Sequence, residues 1–176
     1  MFDPEAFVRR LLVAGLAVPE TILGCTEGEI SLIESHFEVN LPEAYKAFLK
    51  TAGKQAGVLF VPDIDIFFPK VLELRGRALE TLDIFESGSL TLPQHSFVFS
   101  DRYGEQFMFF ICDGDSSDPP VYLYYQGRGA YEQISNQFSD IVEKELGFLE
   151  DFKKRDPNSP YWDYLKKGCK GPLVFD

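Results

Sequence analysis

Three carboxylates in the segment DGDSSDPP (113–120) are spaced like metal ligands. Asp113, Asp115 and Asp118 fall within six residues, as the ligands of calcium-binding loops do. An EF-hand needs Gly at its sixth position and Glu at its twelfth, but this segment has Asp118 and Tyr124 there. Asp, Ser, Gly and Pro are also the residues that commonly build turns. We therefore interpret the segment as a solvated hairpin loop and predict no metal site.

Patterns that support catalysis are otherwise missing from the sequence. There is no GxSxG motif, and we interpret the two histidines, His36 and His95, as ordinary structural or surface residues. The segment AGKQAG (52–57) contains Gly–Lys, but Phe48 and Gln55 stand where a phosphate-binding loop needs Gly and Ser or Thr. We predict neither enzymatic activity nor a cofactor, while a hydrolase with paired carboxylates stays open as an alternative.

The charge of the chain argues against a nucleic-acid partner. The sequence has 28 acidic and 17 basic residues, a net charge of −11, which repels a phosphate backbone. The excess is uneven, because residues 1–152 are strongly acidic while 153–176 carry more basic than acidic side chains. The charge therefore makes nucleic acid an unlikely partner.

Cysteine usage and hydropathy predict a cytoplasmic protein. Cys25, Cys112 and Cys169 are far apart and form no CxxC or Cys/His cluster, so we interpret them as free thiols of a reducing compartment. No apolar run approaches the roughly 20 residues of a membrane-spanning helix. The first residues also lack the basic head of a secretory signal.

Three helices are predicted before residue 54. Apolar residues at helical spacing after Pro4 indicate the first. Thr26 and Glu29 have the spacing of a capping box at the start of the second. In the stretch LPEAYKAFLKTAG (41–53), Leu-Pro begins the third helix at 41 or 42, and Gly53 is expected to end it as a left-handed cap.

The remaining segments predict strands and two further helices. Runs of branched and aromatic residues indicate strands. Apolar residues at helical spacing indicate helices, and Ile134 begins the apolar stripe of the last one. The predicted strands are GVLFV (57–61), IDIFF (64–68), SFVFSD (96–101), QFMFFIC (106–112) and VYLYY (121–125), and the predicted helices are 70–88 and 134–152.

This order of elements indicates an α+β fold, with helices packed on a largely antiparallel, twisted sheet in a single domain. We place the domain at residues 1–152. A basic C-terminal tail follows at 153–176, and we expect it to hold a short helix around 161–167 that packs on the domain.

The run GCTEGEISLIESHFEVNLPEAYKAFLKTAG (24–53) resembles the signature of the SUKH superfamily, the Smi/Knr-like proteins. Strands on either side of a Gly-containing turn, FVFSDRYGEQFMFFICD, and a third strand that begins at Pro–Val are similar to the next part of that family. The resemblance extends over roughly residues 20–150. The matching positions are Ile30, Glu34, Leu41, Pro42, Tyr45, Phe48, Leu49 and Gly53.

The resemblance implies a non-enzymatic binding domain. Bacterial members typically serve as immunity proteins, which bind and neutralise a toxin. Many such toxins are basic nucleases, which an acidic inhibitor attracts. The alternative is a regulatory or scaffold module, with the basic tail docking a separate partner. For the partner-binding surface we predict charged and aromatic residues in turns, namely Asp101, Glu105, Asp113, Asp115, Asp118, Arg128 and Tyr131.

Overall fold

The computed structural model describes residues 2–61, 63–114 and 116–163. Helices and two antiparallel sheets make up this part of the chain, which confirms the predicted single-domain α+β fold. In chain order the elements are α1 (Pro4–Val13), β1 (Ile22–Leu23), α2 (Glu27–Phe37), α3 (Glu43–Ala52), β2 (Gln55–Ala56), α4 (Val71–Glu86), β3 (Ser96–Arg102), β4 (Gln106–Ile111), β5 (Val121–Tyr125), β6 (Tyr131–Ser135) and α5 (Phe138–Arg155).

The main sheet is an antiparallel meander in the order β3-β4-β5-β6, and β1 pairs with β2 in a second, two-stranded sheet. In the meander Phe107 of β4 lies opposite Tyr124 of β5. Because consecutive strands are neighbours, the turns at 103–105 and 126–130 lie at one end of the sheet. The loop at 112–120 lies at the opposite end. We call these the turn end and the loop end.

Phenylalanine rings on one face of the sheet pack against α3 and α5. Tyr45 of α3 is fully buried there, with its ring centroid 5.3 Å from that of Phe97 and 5.2 Å from that of Phe110. The Tyr45 ring centroid also lies 6.1 Å from that of Phe99 and 5.1 Å from that of Phe138 in α5. Two helices and two strands therefore share one aromatic core, in which edge-on and offset rings pack favourably.

The other face of the sheet is covered by α4. Side chains alternate along a strand, so Phe107 and Tyr124 point away from the first face, and their stacked ring centroids are 4.8 Å apart. The Tyr124 hydroxyl donates to Glu86 at the end of α4 over 2.8 Å. The Thr81 hydroxyl of α4 donates to the carbonyl of Gly104 over 3.2 Å. The sheet is therefore a layer between α4 on one side and α3 and α5 on the other.

The predicted capping box at the start of α2 is present. The Glu29 N–H donates to the Thr26 hydroxyl over 3.3 Å, and the Thr26 N–H donates to the Glu29 carboxylate over 2.7 Å. Two backbone N–H groups that have no partner within the helix are thereby satisfied. Lys54 forms an ion pair with the same carboxylate at 3.0 Å, which joins α2 to the segment after α3.

Gly53 ends α3, but the prediction of a left-handed cap is wrong. Its φ is −67°, in the right-handed helical region. Glycine is required here for space, because a Cβ would lie 2.6 Å from the carbonyl oxygen of Leu49 and 2.7 Å from the sulfur of Cys25. Left-handed caps instead end α2, at Glu38 with φ +54°, and α4, at Ser87 with φ +48°. The start of α3 is close to the predicted one, with Pro42 immediately before its first residue.

The two strands predicted at 57–61 and 64–68 are also wrong. The first segment forms turns, with φ +60° at Gly57 and +65° at Phe60. The second contributes only one isolated bridge, between Asp65 and Asp101. Most of the first segment is buried, so its apolar composition reflects burial in the core rather than an extended backbone.

The structure also contains a strand, β6, whose end falls where the sequence pattern predicts a helix. Ile134 was predicted in the last helix, but it lies in β6, and α5 begins only at Phe138. Polar residues interrupt β6, whose exposure matches an edge strand with one neighbour. The other three strands of the meander agree with the prediction.

The proposed division of the chain at 152/153 stays a prediction. Helix α5 continues to Arg155, and Pro160–Trp162 form a short 3₁₀ turn. The rest of the expected tail helix lies outside the described residues. Within the described ranges, every helix is too short or too polar to cross a membrane.

Substitutions at Tyr45 should separate the contribution of its ring from that of its hydroxyl. Within the described ranges the buried hydroxyl has no hydrogen-bond partner. We expect Tyr45→Phe to keep the free energy of unfolding or raise it by up to about 1 kcal/mol, because it removes an unsatisfied polar group. Tyr45→Ala should lower it by about 3–5 kcal/mol, because the ring contacts are lost. Urea denaturation measures both values, and a substantial loss of stability in Tyr45→Phe would contradict the expectation.

Candidate functional site

The predicted partner-binding residues lie at both ends of the sheet. Glu105 and Arg128 belong to the turns of the turn end, and Asp101 and Tyr131 lie in the strands beside them. Asp113 and Asp118 lie in the loop at 112–120, at the loop end, and Asp115 lies outside the described residues. The fold therefore does not bring the six described residues together on one surface.

Asp101 is only 3% exposed and stabilises the turn between β3 and β4. Its carboxylate accepts the N–H of Gly104 over 3.1 Å and lies 3.6 Å from the guanidinium of Arg77. Its backbone exchanges two hydrogen bonds with Asp65. Burial raises the pKa of the Asp101 carboxyl, which the Gly104 N–H and Arg77 partly oppose. The side chain thus holds the turn from inside the protein.

Asp118 is also buried and caps α5 from the distant loop. Its carboxylate accepts the Ser139 N–H over 3.0 Å and the Ser139 hydroxyl over 2.5 Å. Ser139 lies in the first turn of the helix, where free N–H groups and the helix dipole favour a carboxylate. Beside Asp118, the Ser117 carbonyl accepts the N–H of Ala44 in the first turn of α3 over 2.9 Å. The loop end thereby caps the N-terminal ends of two helices.

The other two aspartates of this loop have different positions. Asp113 is exposed, and Asp115 lies outside the described residues. In the parts of the chain that the structure describes, no group of three or more His, Cys, Asp or Glu side chains is arranged to hold a metal ion.

At the turn end, Glu105 and Arg128 are exposed and the two turns touch. The N–H of Gln126 donates to the carbonyl of Glu105 over 2.9 Å. Arg128 lies over the ring of Tyr125, 5.2 Å from its centroid, and forms an exposed ion pair with Glu132 at 3.2 Å. Such an exposed pair contributes little to stability, so these side chains are available to a partner.

Tyr131 is half-buried beneath the exposed side chains of the turn end. Its ring lies 4.9 Å from that of Phe109 and 6.3 Å from that of Tyr124, between centroids. Burial raises the pKa of Tyr131 to about 12, with a smaller contribution from Glu86. Its hydroxyl is buried without a hydrogen-bond partner in the described part of the chain. Tyr131 therefore supports the surface from below.

Five further residues at the turn end were not predicted, namely Asp63, Arg102, Tyr103, Tyr125 and Glu132. Tyr103 is 70% exposed, with φ +57°, and its hydroxyl donates to Asp63 over 2.5 Å. Asp63 also lies 3.6 Å from the guanidinium of Arg102. The sequence does show the Arg-Tyr-Gly turn, but the partner on the 63–65 segment depends on tertiary structure. We define the turn surface as Asp63, Arg102, Tyr103, Glu105, Tyr125, Arg128 and Glu132.

The described cysteines are poorly suited to act as nucleophiles. Burial raises the pKa of Cys25 to about 11 and that of Cys112 to about 12. A nucleophilic cysteine needs a pKa that is lowered rather than raised. Both thiols are therefore part of the packed structure.

Removing the Asp118 carboxylate should destabilise the protein. We expect Asp118→Ala to lower the free energy of unfolding by about 1–2 kcal/mol, because the cap of α5 is lost. Asp113→Ala is the matched control in the same loop, and we expect a change within about 0.5 kcal/mol because its side chain is exposed. Thermal and urea denaturation measure both. Equal stabilities of the two variants would contradict the capping role.

Comparison with protein families supports the resemblance seen in the sequence. The model of the SMI1 / KNR4 family (SUKH-1) matches residues 24–144. A comparison with curated proteins gives no match. The matched range begins just before α2, includes the whole four-stranded sheet and ends within α5. Because the match covers more than half of the chain, this protein belongs to the SMI1/KNR4 (SUKH-1) family.

Proposed function

We propose that the protein is an immunity protein that binds and neutralises a bacterial toxin. Membership of the SMI1/KNR4 family carries this proposal, because proteins of the SUKH family are generally non-enzymatic immunity proteins. A fold supports many functions, so the surface has to give independent support.

Charge supplies part of this support. The chain carries a net charge of −11, and the turn surface has three carboxylates, Asp63, Glu105 and Glu132, against the two guanidinium groups of Arg102 and Arg128. Such a field speeds the encounter with a basic partner. A nuclease toxin is basic where it holds nucleic acid, so an acidic inhibitor fits that site. We place the encounter in the cytoplasm, in keeping with the free thiols.

The exposed aromatic residues support the same surface. Tyr103 and Tyr125 are 70% and 39% exposed, and Arg128 lies over the second ring. Tyr and Arg are enriched among the residues that contribute most to protein–protein binding. The loop end uses Asp118 and Ser117 to cap helices. We therefore propose the turn surface as the toxin-binding surface.

Co-expression with toxins encoded next to this protein's reading frame tests the function. We expect growth to be restored with one of them and a complex to be recovered by pull-down. Glu105→Lys should reduce the association rate constant of that complex by about tenfold at low salt, because it reverses a charge on the turn surface. High salt should shrink this effect, since it screens exposed charges.

Asp113→Lys is the matched control, because it makes the same change of net charge at the loop end. We expect a much smaller effect from it. Absence of both protection and binding with every neighbouring toxin would contradict the proposed function. An equal loss of association rate in the two variants would contradict the proposed surface.

A further inference from the structure

A cleft of about 510 Å³ lies beside the turn surface, between α5 and the segment 60–64. Glu145, Phe148 and Phe152 of α5 line one wall. Their separations of three and four residues place them on one face of the helix. Clefts of this volume are large enough to hold a small ligand or a long side chain.

The wall opposite α5 is held in position by Tyr161. Its hydroxyl lies 2.9 Å from the carbonyl oxygen of Val58 and 2.6 Å from that of Val61. Its ring packs on Phe152, with centroids 5.8 Å apart. The cleft is therefore preformed, which reduces the cost of ordering when a ligand binds.

The charged groups of the cleft favour a cation. Asp63, Arg102 and Glu145 border it, so two carboxylates face one guanidinium. Arg102 lies 3.6 Å from Asp63, while no hydrogen bond or ion pair from the described residues reaches Glu145. Burial raises the pKa of the Glu145 carboxyl, and the charge of Arg102 partly opposes this. A second cation would compensate the charge of the half-buried Glu145 carboxylate.

Aromatic side chains beside Glu145 complete a site for a long cationic side chain. Phe148 is 58% exposed at the lip of the cleft, and its ring centroid lies 6.4 Å from that of Phe152. Lysine and arginine pack their stems on apolar surfaces while the charged group reaches a polar partner. Arginine fits best, because its planar guanidinium stacks on aromatic rings and donates two hydrogen bonds to one carboxylate.

We infer that the cleft binds an arginine side chain of a basic protein partner, with Glu145 accepting from the guanidinium and Phe148 packing against the stem. This inference rests on the proposed function and adds the contact that selects the partner. The turn surface attracts a basic protein in general, whereas the cleft accepts one side chain of defined shape and charge. Specificity therefore resides beside the turn surface.

Nuclear magnetic resonance titration of the full chain tests the inference without a toxin. The probe is the blocked peptide acetyl-Leu-Arg-Leu-amide, and its control replaces arginine by the uncharged isostere citrulline. We expect saturable shifts at Glu145 and Phe148 with a dissociation constant of about 1 mM. The citrulline peptide should bind about tenfold more weakly, because it lacks a charge-assisted hydrogen bond.

Variants on α5 make the test specific. Glu145→Gln should weaken binding of the arginine peptide by about tenfold. Glu143→Gln is the matched control, because Glu143 lies on the same helix and pairs with Arg10 instead. It should leave the affinity unchanged, and circular dichroism should show that both variants fold.

Equal affinity for the two peptides, or equal effects of the two variants, overturns the inference. Absence of binding also overturns it, including the case in which the chain's own residues 164–176 fill the cleft. The outcome is separate from the test of function. If the protein protects cells from a toxin but does not bind the arginine peptide, only the inference about the cleft is contradicted. If it binds the peptide but protects against no toxin, only the proposed function is contradicted.

Discussion

The ring of Tyr45 lies where α3, the sheet and α5 meet, with four phenylalanine rings at centroid distances of 5.1–6.1 Å. These rings come from separate parts of the chain, so their packing fixes how the two helices lie on the sheet. With α3 and α5 in place, their first turns reach the loop end, where Ser117 and Asp118 accept their N–H groups. The aromatic core and the caps therefore depend on each other.

This arrangement gives the two ends of the sheet different roles. At the loop end, the backbone carbonyl of Ser117 and the buried carboxylate of Asp118 cap the N-terminal ends of α3 and α5. Breaking such buried hydrogen bonds lowers stability. The turn end presents exposed tyrosines and carboxylates on turns that are held from below by Asp101 and Tyr131. A rigid support under exposed side chains favours binding, because little ordering is needed when a partner arrives. The cleft beside α5 extends the same rigid surface.

The sequence predicted elements whose signals are local and missed features that depend on distant contacts. Thr26 and Glu29 form the predicted capping box, and three strands of the meander agree with their apolar patterns. The segment 57–61 is buried as its composition suggests, but positive φ values turn its backbone. Among the predicted site residues, Asp118 caps α5 through Ser139, a residue far along the chain. Asp101 is likewise buried, and composition alone could not distinguish these carboxylates from exposed ones.

Hydrogen exchange of the full chain, free and bound to its toxin, compares the two ends directly. The method reports each backbone amide, so it separates the turns at 103–105 and 126–130 from the loop at 112–120. The expected result is slower exchange in both turns and in the part of α5 around Glu145, with little change in the loop. Protection confined to the loop at 112–120 would contradict binding at the turn end.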